Sequence, residues 1–267
     1  AEITRISKEI TSTYSSDIIY HGQLKLSEVK SKVDKYLNLT SEEKLEEFIY
    51  QPATDISKNK IYLVDDKKAV QSQIYFYVKG DEFKKDDFAI KNAFNEYFSG
   101  GFSGLVLQEI REYRSLAYSA YAKYNAPLVP GKKGRLYGFI GCQSDKTIDA
   151  ISVMYDLLND MPKRLERVEA IKNSLQLKVV TEYPVPSNVS YDIMNLERKG
   201  YDEDPNRIAF SEYKKITMED IVEYYEKSIK GRPMIITIYG DQRNIDRDKL
   251  KAIGEVIELK KADIANF

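Results

Sequence analysis

The chain has 267 residues, 42% of them hydrophobic and 31% charged, with 41 lysines and arginines against 42 aspartates and glutamates. That near-neutral balance, with the two signs interspersed, excludes a general nucleic-acid binder, which needs a net basic field. One cysteine, Cys142, and one histidine, His21, exclude a disulfide framework and a cysteine-rich metal site, and no apolar run approaches the ~18 residues of a membrane span.

In chain order, residues 1–16 lack a signal peptide's apolar core, which leaves the compartment, periplasm or cytoplasm, open. Residues 17–21, DIIYH, read as a short strand ended by Gly22. Ser27 then caps a helix with Val29, Val33, Tyr36 and Leu37 on its apolar face. One strand and one helix cannot bury their own faces, so this segment has to pack on something else. Residues 40–59, charged from Ser41 to Glu47 and broken by Pro52, read as a linker.

A domain over residues 60–267 opens with two strand runs, Lys60–Asp66 and Val70–Gly80. In the second, Val70, Ser72, Ile74, Phe76 and Val78 share a face. Phe88–Phe98 is predicted as a helix with Ile90, Phe94, Tyr97 and Phe98 inward. Gly100, Gly101 and Gly104 make a turn into a second helix, on which Val106, Ile110, Tyr113 and Ala117 recur at i, i+4, i+7 and i+11. From Tyr118 to Tyr124 the pattern alternates as a strand does, and a loop with Pro127 and Pro130 joins it to the run Arg135–Cys142 as a hairpin.

Ser144 caps the next helix, which Pro162 stops, and a long helix runs from Leu165 to about Val180 with Val168, Ile171, Leu175 and Val179 on its apolar face. Two shorter helical segments start at Ser187 and Asp204. A capping box, Thr217 to Asp220, opens another helix. Pro233–Asp241 is almost wholly apolar and is expected to be a central strand. A helix near Arg243–Ala252 and a short strand, Gly254–Leu259, close the chain. Hairpin-joined strands with helices in runs indicate α+β: a mostly antiparallel sheet of about five or six strands with a helical layer on one face.

The stretch QEIREYRSLAYSAYA, residues 108–122, resembles the Arg-x-x-Arg-x-Leu-Ala-Tyr signature of the pitrilysin/insulysin and mitochondrial-processing-peptidase family of zinc metallopeptidases, the inverzincins. The signature belongs to the non-catalytic half of those enzymes. The resemblance continues in VQSQIYFYVKG before it and in ITMEDIVEYYEKSIKGRPMIITIYGD after it, and so covers about residues 60–241. It departs at Ser103-Gly104-Leu105, where the family often has Ser-Arg-Leu, and at Arg114-Ser115-Leu116, where it often has Arg-Gly-Leu. In the family the catalytic half carries His-x-x-Glu-His, and the other half supplies an arginine and a tyrosine seven residues apart. Here those positions are Arg111 and Tyr118. In the same terms residues 1–39 resemble the last strand and helix of a preceding domain, so the natural chain is expected to start upstream of Ala1.

Without the resemblance, Arg111 reads as a solvated or ion-paired helix residue, and Tyr118 as strand packing with a polar tip. With it, their chemistry suits peptide hydrolysis. A guanidinium holds a carbonyl or carboxylate in a planar fork, and a phenol can donate to the oxyanion of a tetrahedral intermediate. A hydrolytic zinc site needs about three ligands drawn from His, Cys, Asp and Glu. With one histidine and no His-x-x-Glu-His in the chain, no catalytic or metal-ligating residue is assigned in this chain alone. The resemblance implies a substrate-binding, non-catalytic C-terminal part of a zinc metalloendopeptidase, inactive by itself. It would complete a chamber opposite a zinc-bearing half, in the same polypeptide or a separate subunit. A catalytically inert scaffold or binding subunit of the same fold is the alternative.

Overall fold

The computed structural model describes residues 2–6, 17–37, 39, 55–127, 130–243 and 245–264. Its contacts gather into two compact units, residues 1–52 with 184–194 and residues 53–183 with 195–267. In the first unit, helix α1 (Leu26–Tyr36) starts after Lys25, whose backbone N–H donates to the Glu28 carboxylate at 2.9 Å. Val29 and Val33 are half-buried, while Tyr36 and Leu37 are exposed. The strand expected at residues 17–21 is not formed, and Ile18 and Ile19 are exposed. A strand exists through its ladder, and five residues cannot supply a ladder for themselves. Most of the expected linker, residues 40–54, lies outside the described residues.

The elements that follow in the chain are β1 (Lys60–Asp65), β2 (Gln71–Glu82), α2 (Phe88–Ser99), β3 (Ala117–Asn125), β4 (Lys133–Gln143), α3 (Thr147–Asn159), α4 (Val168–Thr181), α5 (Val189–Arg198), α6 (Asn206–Tyr213), α7 (Met218–Ser228), β5 (Met234–Gly240), α8 (Arg247–Ile253) and β6 (Glu255–Leu259). Among the described residues the sheet has six strands in the order β3-β4-β2-β5-β1-β6. β3–β4, β4–β2 and β2–β5 pair antiparallel, whereas β5–β1 and β1–β6 pair parallel.

The α+β class, the six strands and an antiparallel majority, three of the five pairings, match the expectation; pairing mainly by hairpins does not. The sheet is mixed, and β3–β4 is the one pair of consecutive strands that are neighbours in it. β1 and β2, five residues apart in the chain, are separated by β5, and α8 carries the chain from β5 across to β6. Alternation reports which face of a strand is buried; it carries no information on strand order or direction.

Rows of buried side chains cross the sheet in register. Leu63, Ile238, Ile74, Ile140 and Ala120 form one, and none of them is more than 6% exposed. Ile61, Ile236, Phe76, Gly138 and Ala122 form the next. Burial of each isoleucine contributes roughly 2–3 kcal/mol. Side chains shrink toward β3: a Cβ at Gly138 would sit 3.3 Å from the Phe76 Cβ and 3.5 Å from the Ala122 Cβ. That small surface lets α2 close on the sheet edge. The Ala122 N–H donates to Ser99 Oγ at 3.0 Å, and the Tyr124 N–H donates to Asn95 Oδ1 at 2.7 Å. Asn95 Nδ2 donates back to the Tyr124 carbonyl at 2.9 Å. The outer edge of β3 is thereby covered at these positions.

The other face is half-exposed, with Tyr75, Tyr121, Tyr137 and Phe139 forming ring pairs 5.2 to 6.4 Å apart. The Thr217 capping box forms as read from sequence: Thr217 Oγ1 accepts from the Asp220 N–H at 3.2 Å, and the Thr217 N–H donates to the Asp220 carboxylate at 2.8 Å. Val70, expected to share a face of β2 with Ser72, Ile74, Phe76 and Val78, is exposed ahead of the strand, whereas those four are buried. No helix among the described residues is long and apolar enough to cross a membrane.

Candidate functional site

The stretch from the end of α2 into the start of β3 departs from regular geometry four times. It begins with the glycine turn. Gly101 has φ +54, and at Gly104 a Cβ would come within 2.5 Å of Ser99 Cα and 2.6 Å of Gly100 N, so no side chain fits there. A single α-turn, Leu105–Leu107, then widens into a π-turn over Gln108–Glu112, in which the Tyr113 N–H donates to the Gln108 carbonyl at 2.9 Å.

The wide turn corrects the sequence reading of this helix. Val106 and Ile110 are fully buried as expected, but the extra residue carries Tyr113 out to 57% exposure. Ala117 is not on a helix at all; it is the first residue of β3. Ser115 reverses the chain at φ +51, with its N–H donating to the Arg111 carbonyl and that of Leu116 to the Ile110 carbonyl, both at 2.9 Å. The fourth departure is a register shift between Ala117 and Ser119 against β4. A residue inserted in one strand kinks it and re-aims a side chain, and here Tyr118 is turned out to 80% exposure.

Arg111 and Tyr118 are thereby brought together. The guanidinium carbon of Arg111 lies 5.0 Å from the Tyr118 ring centroid and 5.9 Å from that of Phe102, which is also exposed. Arg111 Nε is 3.4 Å from a Glu112 carboxylate oxygen, a long contact beside solvent. The pair stands at a depression of about 480 Å³ lined by Gln71, Arg111, Leu116, Tyr118, Gly141 and Gln143.

Arg114, three residues on, is differently engaged. It donates to the Glu109 carbonyl at 2.9 Å and pairs with the Glu109 carboxylate. That carboxylate is 8% exposed and also pairs with Arg164. Arg167 donates to the Ser103 carbonyl at 2.8 Å and to the Gln108 side-chain oxygen. The Tyr113 ring lies 5.7 Å from the Arg164 guanidinium.

Cys142 is among the residues lining the depression, but it is buried and burial pushes its thiol pKa up to about 11, so it is not a nucleophile near neutral pH. His21 is exposed. Among the described residues no three His, Cys, Asp or Glu side chains are grouped to hold a metal ion.

A larger cavity, about 940 Å³, was not foreseen. It opens between α2, α4, α6 and β3, and Asn95, Glu96, Ser99, Tyr121, Lys178 and Phe210 are among its lining residues. Its polar groups largely satisfy one another, Glu96 accepting from Ser174 Oγ and Lys178 Nζ, both at 2.6 Å. The signal in the sequence was Asn95 and Ser99, polar residues four apart on an otherwise apolar helix.

A family model described as the peptidase M16 inactive domain matches residues 16–175. Among solved structures, the peptidase M16 inactive domain from Pseudomonas fluorescens superposes with a TM-score of 0.63 at 16% identity, over 82% of this chain and 51% of that one. A protease from Helicobacter pylori gives 0.63 at 13% identity, over 81% and 53%. A chain of Complex III2 from Candida albicans, solved with Inz-5 bound, gives 0.61 at 13% identity, over 88% and 57%. At these identities the likeness is one of fold. The chain spans about half the length of these structures' chains. No curated protein matches it in sequence.

Proposed function

Because this chain belongs to the peptidase M16 inactive domain family, we propose that it is the substrate-side, non-catalytic part of a zinc metalloendopeptidase. It completes the active-site chamber opposite a zinc-bearing half and does not cleave peptides by itself. One observation carries the reading: Arg111 and Tyr118, seven residues apart, stand together at a depression, with Tyr118 exposed and the ion pair of Arg111 among the described residues a long one, at 3.4 Å.

The two side chains divide the work. The Arg111 guanidinium takes a substrate carbonyl or carboxylate in a bidentate grip and fixes the peptide's orientation. The Tyr118 phenol, a donor beside that grip, hydrogen-bonds the oxygen on which negative charge develops. Loss of a donor of this kind typically lowers turnover by about 10²–10³. Stacked on the Tyr118 ring, the arginine keeps the phenol close to its own positive charge. Neither group can make a hydroxide ion from water. The donor set among the described residues does not fit zinc, so in this reading the metal and the general base belong to the other half. The division into residues 1–39, 40–59 and 60–267 is part of the same proposal, supported by the compact unit that starts at residue 53.

The test uses the complete enzyme, this chain together with a half carrying His-x-x-Glu-His, and a fluorogenic peptide. Arg111→Ala is expected to lower kcat/KM by about 100-fold, and Tyr118→Phe by about 10²–10³-fold, with zinc content unchanged. Normal turnover in both variants removes the assignment. The likeness to a chain of Complex III2 supports the second reading, an inert scaffold, which takes over if no such half is encoded upstream or beside this chain.

A further inference from the structure

Glu109 sits two residues before Arg111 in the π-turn, and at 8% exposure it is a buried carboxylate where its neighbours Leu105, Val106 and Ile110 are apolar. Burying a carboxylate costs several kcal/mol unless it is well paired, so a leucine would serve packing better. What the charge adds is direction. One oxygen pairs with Arg114 and the other with Arg164. Arg114 also donates to the Glu109 carbonyl at 2.9 Å, tying the end of the wide turn back to its start. Arg164 is itself fixed: its backbone N–H donates to the Tyr97 hydroxyl at 3.0 Å, and that hydroxyl donates to the Pro162 carbonyl. Tyr97 belongs to α2, so the brace runs from a core helix through Arg164 to the π-turn.

Two residues apart on a helical turn, side chains point in nearly opposite directions, about 200° at α-helical spacing. Anchoring residue 109 inward therefore presents residue 111 outward, over Tyr118. π-turns of this kind recur at functional sites because they re-aim one side chain without ending the helix. We propose that Glu109 is a positioning residue: gripped by Arg114 and Arg164, it holds the π-turn in the shape that aims Arg111 at Tyr118. The inference rests on the reading of Arg111 and Tyr118 as the substrate-contacting pair.

A double-mutant cycle in the complete enzyme tests it, with a fluorogenic peptide as probe. Glu109→Gln keeps one acceptor oxygen but leaves one arginine without its partner. It is expected to lower kcat/KM about tenfold, and to change it less than about twofold in an Arg111→Ala background, because a residue acting through Arg111 has nothing left to act through. An equal fall in both backgrounds makes Glu109 a purely structural residue and overturns the proposal, as does wild-type turnover in the single variant. If Glu109→Gln does not fold, Arg164→Gln breaks the same brace from the other side and is read by the same cycle. Turnover unchanged by Arg111→Ala alone would show that the substrate-contacting reading had failed, and this inference falls with it. A fall with Arg111→Ala but additivity with Glu109→Gln strikes the positioning role alone.

Discussion

The sheet is regular at one end and irregular at the other. At the β5–β1–β6 end the parallel registers run without a shift, and Asn59 pins three segments together. Its amide donates to the Ile253 carbonyl at 2.9 Å and accepts from the Met234 N–H at 3.0 Å, while its carbonyl accepts from the Glu255 N–H at 3.0 Å. At the β3–β4–β2 end the register shifts twice, between Ala117 and Ser119 and between Lys79 and Glu82. The π-turn and the left-handed Ser115 lead into the same end. The candidate groove is there. The contrast separates two jobs within one core: regular packing supplies stability, and local irregularity shapes the site.

The largest expected effect comes from attacking the regular end. Ile238 is fully buried and pairs with Leu63 on one side and Ile74 on the other. Ile238→Ala is expected to cost about 3 kcal/mol, the transfer loss plus the cavity left in a stiff sheet. Urea unfolding measures the loss. In the complete enzyme, well below the melting temperature, turnover should be unchanged. A variant as stable as the parent, or one that loses turnover while folded, breaks the division.

That division also marks what could be read from sequence. Most strands and helices of the domain were legible because their apolar periods are clean: the α2 expectation of Phe88–Phe98 meets an observed Phe88–Ser99, and Pro233–Asp241 an observed central Met234–Gly240. Arg111 and Tyr118 were named through a family signature, and the structure brings them within stacking distance. The π-turn was invisible, since a 3.6-residue template forces Tyr113 and Ala117 onto a helix face that the wider turn dissolves. Glu109 was invisible for a related reason: a carboxylate in an amphipathic pattern reads as solvent-facing until its two arginine partners are placed. One of them, Arg164, is 55 residues away. The insertion of β5 between β1 and β2 depends on contacts 156 to 175 residues apart, which no local pattern carries.

A smaller effect is expected from a charge at the irregular end. Lys91, on α2, has its ammonium 4.9 Å from the Phe88 ring centroid and 5.8 Å from that of Phe83. Burial, reinforced by repulsion from Lys199 and Lys123, pushes its pKa down to about 8. The ring faces offset part of that penalty. Between pH 8 and about 10.5 the folded chain has released this proton while the unfolded chain still holds it, so stability rises with pH across that window. Lys91→Met is expected to stabilise the chain by about 2 kcal/mol at pH 7, with the gain shrinking as pH approaches 10. Urea unfolding at pH 7 and at pH 9.5 reads the difference between the two proteins. Equal pH slopes would show that Lys91 is not held in a desolvated site.

The smallest effect bears most directly on what the irregularity is for. Ser115 holds φ +51, a left-handed conformation that costs an L-residue roughly 1–2 kcal/mol. The resembling family often has glycine at this position, and the backbone angle explains why. Ser115→Gly relieves the strain but gives the unfolded chain more freedom to lose, so a net gain of about 0.5 kcal/mol is expected. The turn itself should persist, because the Ser115 and Leu116 N–H groups keep their acceptors at the Arg111 and Ile110 carbonyls. Turnover of the complete enzyme should then be unchanged, since what the groove needs from residue 115 is a backbone angle. A folded Ser115→Gly enzyme with lost turnover would instead assign the work to the serine hydroxyl, placing a third polar group beside Arg111 and Tyr118.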